Sequence, residues 1–597
     1  MRWGKIGAFA ALTVLSVIDS ACAADILFST PGAGKELRRA LASSSLLIQA
    51  RNDKTEDPQE LVAAARADYG RLLGVLYEAG RFGGVITISV DGREAAAIPP
   101  LAVPDEISRI QVNVDPGPLF RFSEARVEPL PRDAELPKEF AVGQPAGART
   151  IREAASVAID SWRLEGHAKA RVSDQRIVAR HTDSRLAARL TVDPGPALRF
   201  GEVTVSGNSQ VRTLRVHTIA GLEEGRDFDP EEIARAERRL RRAGSFSSVV
   251  VEEAEEIAAG DTLPLNIAVV EETPRRFGFG AEYSTIEGAR LTGFWLHRNF
   301  RGGAERVRVD GEVAGIGGET GGIDYSFGVR YERPATPRAD VDLYAEIGVE
   351  KLDEPDFTSY IGDFALGFTR YATDDLTVDF GLGYLFSEVE DDFGFETYSL
   401  LTLPLGATLD RRDNALNPKR GFYMDLDATP FAGVDDSASG AQINLDARAY
   451  KTIGNARQVT TALRLQLGSI VGPDLLESPQ FYRFYSGGGG TVRGQGYQSL
   501  GIDLGGGSRS GGLSFAGISA EARVLLTEAI SVVGFYDWGY IGAESFPDGS
   551  GGSHSGAGIG FRYDTGIGPI RFDIATPVSG GTDSSNFYIY VGIGQAF

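Results

Sequence analysis

Cysteine, histidine, positive charge and long apolar runs are all scarce in this 597-residue chain. Cys22 is the single cysteine, so neither a disulfide framework nor a cysteine metal site can be built. The five histidines, at 167, 181, 217, 297 and 554, are scattered and show no metal-ligand spacing. Sixty Lys and Arg against 82 Asp and Glu give a formal charge of -22. That balance argues against nucleic acid, because phosphate binding needs a basic face. The glycines at 487–490 lack the Gly-Lys-Ser/Thr of a phosphate-binding loop, and no Gly-x-Ser-x-Gly elbow precedes residue 275. The sequence therefore calls for no cofactor, no metal and no enzyme chemistry.

Residues 1–23 read as a secretory signal. Arg2 and Lys5 form the charged start, Ile6 to Val17 the apolar run, and Ala21-Cys22-Ala23 the small-residue cleavage site. The run is too short to cross about 30 Å of hydrocarbon as an anchor. Lipid attachment at Cys22 fits poorly with Asp19 at a position that is usually apolar. No later segment offers 18 uninterrupted apolar residues, and an exported chain without a spanning helix is either soluble or a β-barrel.

What is present first is a repeat. Asn113-Val-Asp-Pro-Gly-Pro118 recurs as Thr191-Val-Asp-Pro-Gly-Pro196, and Val269-Val-Glu-Glu-Thr-Pro274 stands a further 78 residues on in the same register. Each copy holds a helix whose start reads as a capping box: Asp57-Pro-Gln-Glu60, Thr150-Ile-Arg-Glu153 and Asp229-Pro-Glu-Glu232. Gly80, Gly166 and Gly244 follow as helix stops. The order is strand, helices, strand, strand, which places three α+β units at 24–118, 119–196 and 197–274.

From residue 275 the period changes to two. Phe277-Gly-Phe-Gly-Ala-Glu-Tyr-Ser284 and Leu376-Thr-Val-Asp-Phe-Gly-Leu-Gly-Tyr384 alternate bulky apolar residues with small or polar ones, as do Ala557–Asp564 and Ile570–Ile574. Runs of about ten such residues are the signature of a transmembrane barrel with a lipid face and a wet lumen. Sixteen candidate strands fill 275–597, interrupted by a loop at about 473–511. A soluble β-sandwich would also alternate, but sixteen strands without a helix would make an unusually large one. In the last strand Phe587, Ile589, Val591, Ile593 and Phe597 share one face.

The loop contains Phe484-Tyr-Ser-Gly-Gly-Gly-Gly-Thr-Val-Arg-Gly-Gln-Gly-Tyr497, a lone cation, Arg493, among glycines. This segment resembles the Val-Arg-Gly loop of the outer-membrane assembly and two-partner-secretion superfamily, the BamA/TamA-like surface antigens. Asp410-Arg-Arg-Asp-Asn-Ala-Leu-Asn-Pro-Lys-Arg-Gly-Phe422, Gly534-Phe-Tyr-Asp-Trp-Gly539 and Gly566-Ile-Gly-Pro-Ile-Arg571 resemble other motifs of that superfamily in their order. The three repeats resemble its polypeptide-transport-associated (POTRA) domains. Their number points to the translocation and assembly module (TamA) branch.

The resemblance implies α+β POTRA-like repeats followed by an all-β, 16-stranded outer-membrane barrel, with the repeats in the periplasm. It implies an insertase or translocase for β-barrel proteins and autotransporters, whose partners are unfolded outer-membrane clients, a TamB-like protein anchored in the inner membrane, and outer-membrane lipid. A two-partner-secretion transporter and a passive channel are the alternatives. It further implies a lumenal lock built from Val492, Arg493, Gly494 and Tyr497 of the loop with Glu521 and Asp537 of the wall. Where the superfamily has an aromatic after Arg-Gly this chain has Gln495, so either Tyr497 takes the aromatic's place or the loop tip packs differently. A lateral seam is expected between the first and last strands, flanked by Phe277, Gly278, Gly280, Gly592, Gly594 and Phe597. The glycines weaken both strand interiors there; the plainer reading is that they relieve crowding in the lumen.

Overall fold

A computed structural model describes residues 24–99, 103–319, 321–454, 458–527, 529–566, 568–580, 586–593, 595 and 597. The secretory-signal reading of 1–23 and the seam position Gly594 lie outside the described residues. The chain divides into two compact units. One runs to Arg199 and takes in Gly225–Glu231 and Ala258–Leu263; the other holds the rest of the third repeat and the barrel.

All three repeats share one sheet topology, in which the last strand lies between the first two. In the first, Asp25–Ser29 runs parallel to Arg109–Asp115, which pairs antiparallel with Val85–Val90. In the second, Arg121–Glu128 is parallel to Arg185–Asp193, which pairs antiparallel with Arg171–Arg180. In the third, Thr262–Glu271 sits between Arg199–Ser206 and Phe246–Glu253. Each sheet buries one face under helix. Pro58–Glu78 lays Leu61, Ala65, Leu72 and Leu76, at helical spacing, against Ile88, Ile110 and Val112 of the first sheet. Complete burial of such a side chain stabilises by about 1.5–3 kcal/mol.

The helix starts differ among the copies. Asp57 caps the first, its side chain accepting from the Gln59 N–H at 2.9 Å, and Asp229 accepts from Glu231 at 2.8 Å before Pro230–Arg242. The expected box at Thr150 is wrong in place: the helix is Ala148–Leu164, with Gly147 at its cap, and Thr150 lies within the first turn. It is also the single α-helix of the second repeat among the described residues, where two were open to expectation. Gly80, Gly166 and Gly244 all adopt positive φ after their helices, the left-handed stop that glycine supplies without steric cost.

The third repeat holds on to the turns of the barrel through arginine. Arg239 and Arg242 pair with Asp340 at 2.6 and 2.9 Å, and Arg242 lies 3.6 Å from the centroid of the Tyr371 ring. Buried Arg215 donates to the carbonyls of Gly303, at 3.3 Å, and Pro334. Burial favours the neutral form of Asp340, but its two arginines outweigh that and hold the carboxyl below the usual range.

Residues 275–593 form a closed antiparallel barrel of sixteen staves. The eighth stave is split into Gly394–Thr402 and Leu405–Asp410. Pro404 has no N–H to give to the ladder, so the break falls where a proline enters a strand. Phe277, Phe279, Phe327, Ile347, Phe364 and Leu382 stand exposed on the outer wall, the apolar belt that lipid covers. The opposite parity faces inward and carries charge, as in the pairs Arg330–Glu346 and Arg464–Asp446, at 2.6 and 2.7 Å.

Candidate functional site

The loop leaves the eleventh strand, Val459–Val471, and returns into the twelfth, Ser514–Leu525. It starts as a ribbon folded on itself. Phe484 and Gly512 exchange two backbone hydrogen bonds, as do Ser486 and Leu500. Its base is aromatic: Phe481, Tyr482, Phe484 and Tyr485 pack on Tyr398, Leu400 and Phe431 of the inner wall. Buried Arg483 ties this base by donating to the Ser478 and Leu476 carbonyls and to Ser510 Oγ. Beyond the Ser486–Leu500 bridge the glycine-rich tip turns to the wall.

There Arg493 is 3% exposed and entirely engaged. Its Nε and Nη2 grip Asp537 bidentately at 2.8 and 3.0 Å, and its backbone N–H donates to the same carboxylate at 3.1 Å. Nη1 reaches Glu521 at 2.8 Å and Asp573 at 3.3 Å, while the guanidinium sits 3.6 Å from the centroid of the Phe535 ring. Ion pairing of this kind suits arginine, whose rigid fork matches carboxylate geometry and whose weak hydration lowers the cost of burial.

Two glycines make the approach possible. Gly494 has φ +89°, and a Cβ there would lie 2.6 Å from the Thr576 carbonyl oxygen. On the facing strand, Gly552–Tyr563, a Cβ at Gly556 would lie 2.0 Å from the Arg493 carbonyl oxygen. The backbone of the loop tip thus lies directly on the backbone of the wall. Val492 is fully buried beside Gly539. Gln495 does not leave a hole where an aromatic was expected: its Nε2 donates to the Ser555 and Ser579 carbonyls at 2.7 and 2.9 Å. Tyr497 does not take that place either, because its hydroxyl reaches Glu354 at 3.0 Å, on another strand.

Sequence reasoning named two of the four acidic or aromatic groups around the guanidinium and missed Asp573 and Phe535. It also missed Arg523 and Arg562. Arg523 bonds Glu521 at 2.9 Å and Arg562 bonds Asp573, so three buried arginines face three buried carboxylates. Tyr590, whose hydroxyl accepts from Gly494 N–H at 3.2 Å, and the Ser486–His554 bond at 2.8 Å were missed as well. Asp573 and Arg562 occupy inward positions of runs whose alternation is plain, but nothing in a single sequence says which inward charges share one height.

At the seam the first strand, Arg275–Ser284, pairs along its whole length with Gly288–His297. Towards the last strand, Tyr588–Ile593, only Tyr283↔Val591 and Ser284↔Tyr590 are in register among the described residues, with further bonds from Thr285 N–H to the Ile589 carbonyl at 3.2 Å and from Ile589 N–H to Thr285 Oγ1 at 3.4 Å. Gly278 and Gly280 serve the second strand: a Cβ at either would run into the Phe294 ring or Thr292 Oγ1, at 2.1 and 2.5 Å. Gly592 lies beside Arg571 and Glu282, which bridge the seam at 3.4 Å. Phe277 faces outward near the start of the strand. Phe597 corrects the expectation. It lies in the lumen with Tyr450 and Ala462, 6% exposed, rather than on the lipid face of the seam. Its oxygen accepts from Arg523 Nη2 at 3.1 Å, which draws it inward.

The Omp85 superfamily domain matches residues 299–597, half of the chain. The chain belongs to the Omp85 superfamily. A surface antigen variable number repeat, the POTRA family, matches 198–272, the third repeat. This Omp85 protein is 21% identical over 409 residues to the outer membrane protein assembly factor BamA of Neorickettsia risticii, covering 63% of this chain and 52% of that protein. To the BamA of Nitratidesulfovibrio vulgaris it is 24% identical over 412 residues, covering 64% and 49%. The chain therefore spans about half the length of these relatives. In fold it matches the crystal structure of BamA from Haemophilus ducreyi lacking POTRA domains 1–3, with a TM-score of 0.60 and 16% identity over 79% of this chain and all of that one. It also matches CdiB from Acinetobacter baumannii, with a TM-score of 0.54 and 11% identity over 80% of this chain and 90% of that one. The Omp85 barrel spans the outer membrane, and its POTRA repeats are periplasmic.

Proposed function

We propose that this Omp85 protein is an outer-membrane insertase or translocase that assists the assembly or secretion of β-barrel proteins and autotransporters. Its similarity to BamA supports protein assembly as the task. Three repeats favour a TamA-type factor, with a TamB-type partner anchored in the inner membrane. The observation that carries the reading is the seam. Residues Arg275–Glu282 of the first strand have ladder partners on one side only among the described residues. An unpaired strand edge is a template for β-augmentation, so an unfolded client can add its own strand there and pass into outer-membrane lipid.

A disulfide between Tyr283→Cys and Val591→Cys, which face each other in register, tests the reading. Oxidation is expected to stop insertion of client barrels into vesicles, and reduction to restore it. Insertion that continues with the bond complete removes the seam from the mechanism. Export of one secreted protein under the same lock marks a dedicated secretion transporter instead.

A further inference from the structure

The two arginines behind the lock have a second set of partners. Arg523 holds Glu521 through Nε at 2.9 Å and Nη2 at 2.8 Å, and the same Nη2 bonds the Phe597 oxygen at 3.1 Å. Arg562 Nη2 bonds Asp573 at 3.2 Å while its Nε bonds Gln595 Oε1 at 3.0 Å. Gln595 and Phe597 both follow Tyr588–Ile593, the last-strand side of the seam. Glu521 and Asp573 are the two carboxylates that share Arg493 Nη1. Arg523, which shares Nη2 between Phe597 and Glu521, and Arg562, which uses separate nitrogens, thus each hold Phe597 or Gln595 and a carboxylate of the lock at once.

We propose that Arg523 and Arg562 are positioning residues that couple the seam to the loop: withdrawal of Gln595 and Phe597 loosens Arg493. Both are nearly inaccessible, 5% and 1% exposed. A buried guanidinium that loses an acceptor must find another, because a donor stripped of water and left unpaired is strongly unfavourable. The acceptors within reach are Glu521 and Asp573. Arg562 Nη2 already stands 3.9 Å from Glu521, and Arg523 Nη1 has no partner among the described residues, so each is poised to compete. What Arg493 loses is the Nη1 contacts; its bidentate grip on Asp537 stays. The tip is loosened, not expelled.

The inference rests on the seam-opening reading, but its test needs no client. In a Cys22→Ser background, Val492→Cys places a thiol at a fully buried tip position, and its maleimide labelling rate reports release. Gln595→Ala with deletion of Phe597, whose main-chain oxygen no side-chain substitution removes, is expected to raise that rate about tenfold, the effect of losing a hydrogen bond to a charged group. With Arg523→Gln and Arg562→Gln already present, the same pair is expected to add nothing. Gln595→Ala alone, a half-buried position, guards against misfolding of the double variant and should give a smaller rise in the same direction. An unchanged rate in a folded barrel, or an equal rise with and without the two arginines, overturns the coupling. Unchanged labelling with a seam disulfide that blocks clients rejects the coupling alone. Faster labelling with a disulfide that does not block them rejects only the seam reading.

Discussion

Arg493→Ala is expected to lower stability by about 3–5 kcal/mol, the cost of breaking a buried ion pair from one side, and to abolish client assembly. The magnitude follows from what remains. Asp537, Glu521 and Asp573 are 1%, 4% and 0% exposed, and without the guanidinium their charge balance changes from three cations against three anions to two against three. Arg523 and Arg562 can compensate Glu521 and Asp573, but Asp537 has no other cation bonded to it among the described residues. Arg493→Lys should recover part of the loss, since an ammonium keeps the charge but cannot hold Asp537 with two parallel bonds. The urea midpoint and protease cleavage within 484–500 measure both. A variant whose loop stays protected would show that the aromatic base, not the arginine, holds the tip.

Gly556→Ala should be nearly as severe, although it removes nothing. Its Cβ would fall 2.0 Å from a backbone oxygen of the loop, and neither the ladder nor the tip can move aside without breaking Arg493 from Asp537. Overpacking of this kind costs about 1–3 kcal/mol, more where backbone meets backbone. Gly556 does not take positive φ, so alanine suits the strand itself and the whole effect is the lost approach of the loop. Unfolding midpoints with and without Arg493→Ala separate the two: the glycine change should cost much less once the arginine is gone. Equal costs in both backgrounds would place the clash elsewhere.

How much of this was legible in the sequence depended on whether the signal was local. Period two located the staves because each inward and outward position is set by its own neighbours. Pro404 is visible in the sequence, yet that it splits the eighth stave depends on pairing with strands on both sides. Arg493, Glu521 and Asp537 were readable from resemblance, since each lies in a recognisable motif. Asp573, Phe535, Arg523 and Arg562 were not, because their meeting depends on the stagger between strands. Phe597 misled for a different reason. By alternation it belongs with Ile589, Val591 and Ile593, but its oxygen bonds buried Arg523 in the lumen, a contact that periodicity does not record. Gln495 seemed a defect of the loop and is a polar anchor to two wall carbonyls.

The loop has two separate attachments, an aromatic base wedged on Tyr398, Leu400 and Phe431 and a charged tip on Asp537, Glu521 and Asp573 of other strands. Under the proposed coupling the tip can therefore be released while the base stays seated, because the base is held by apolar packing that an exchange of ion pairs does not touch.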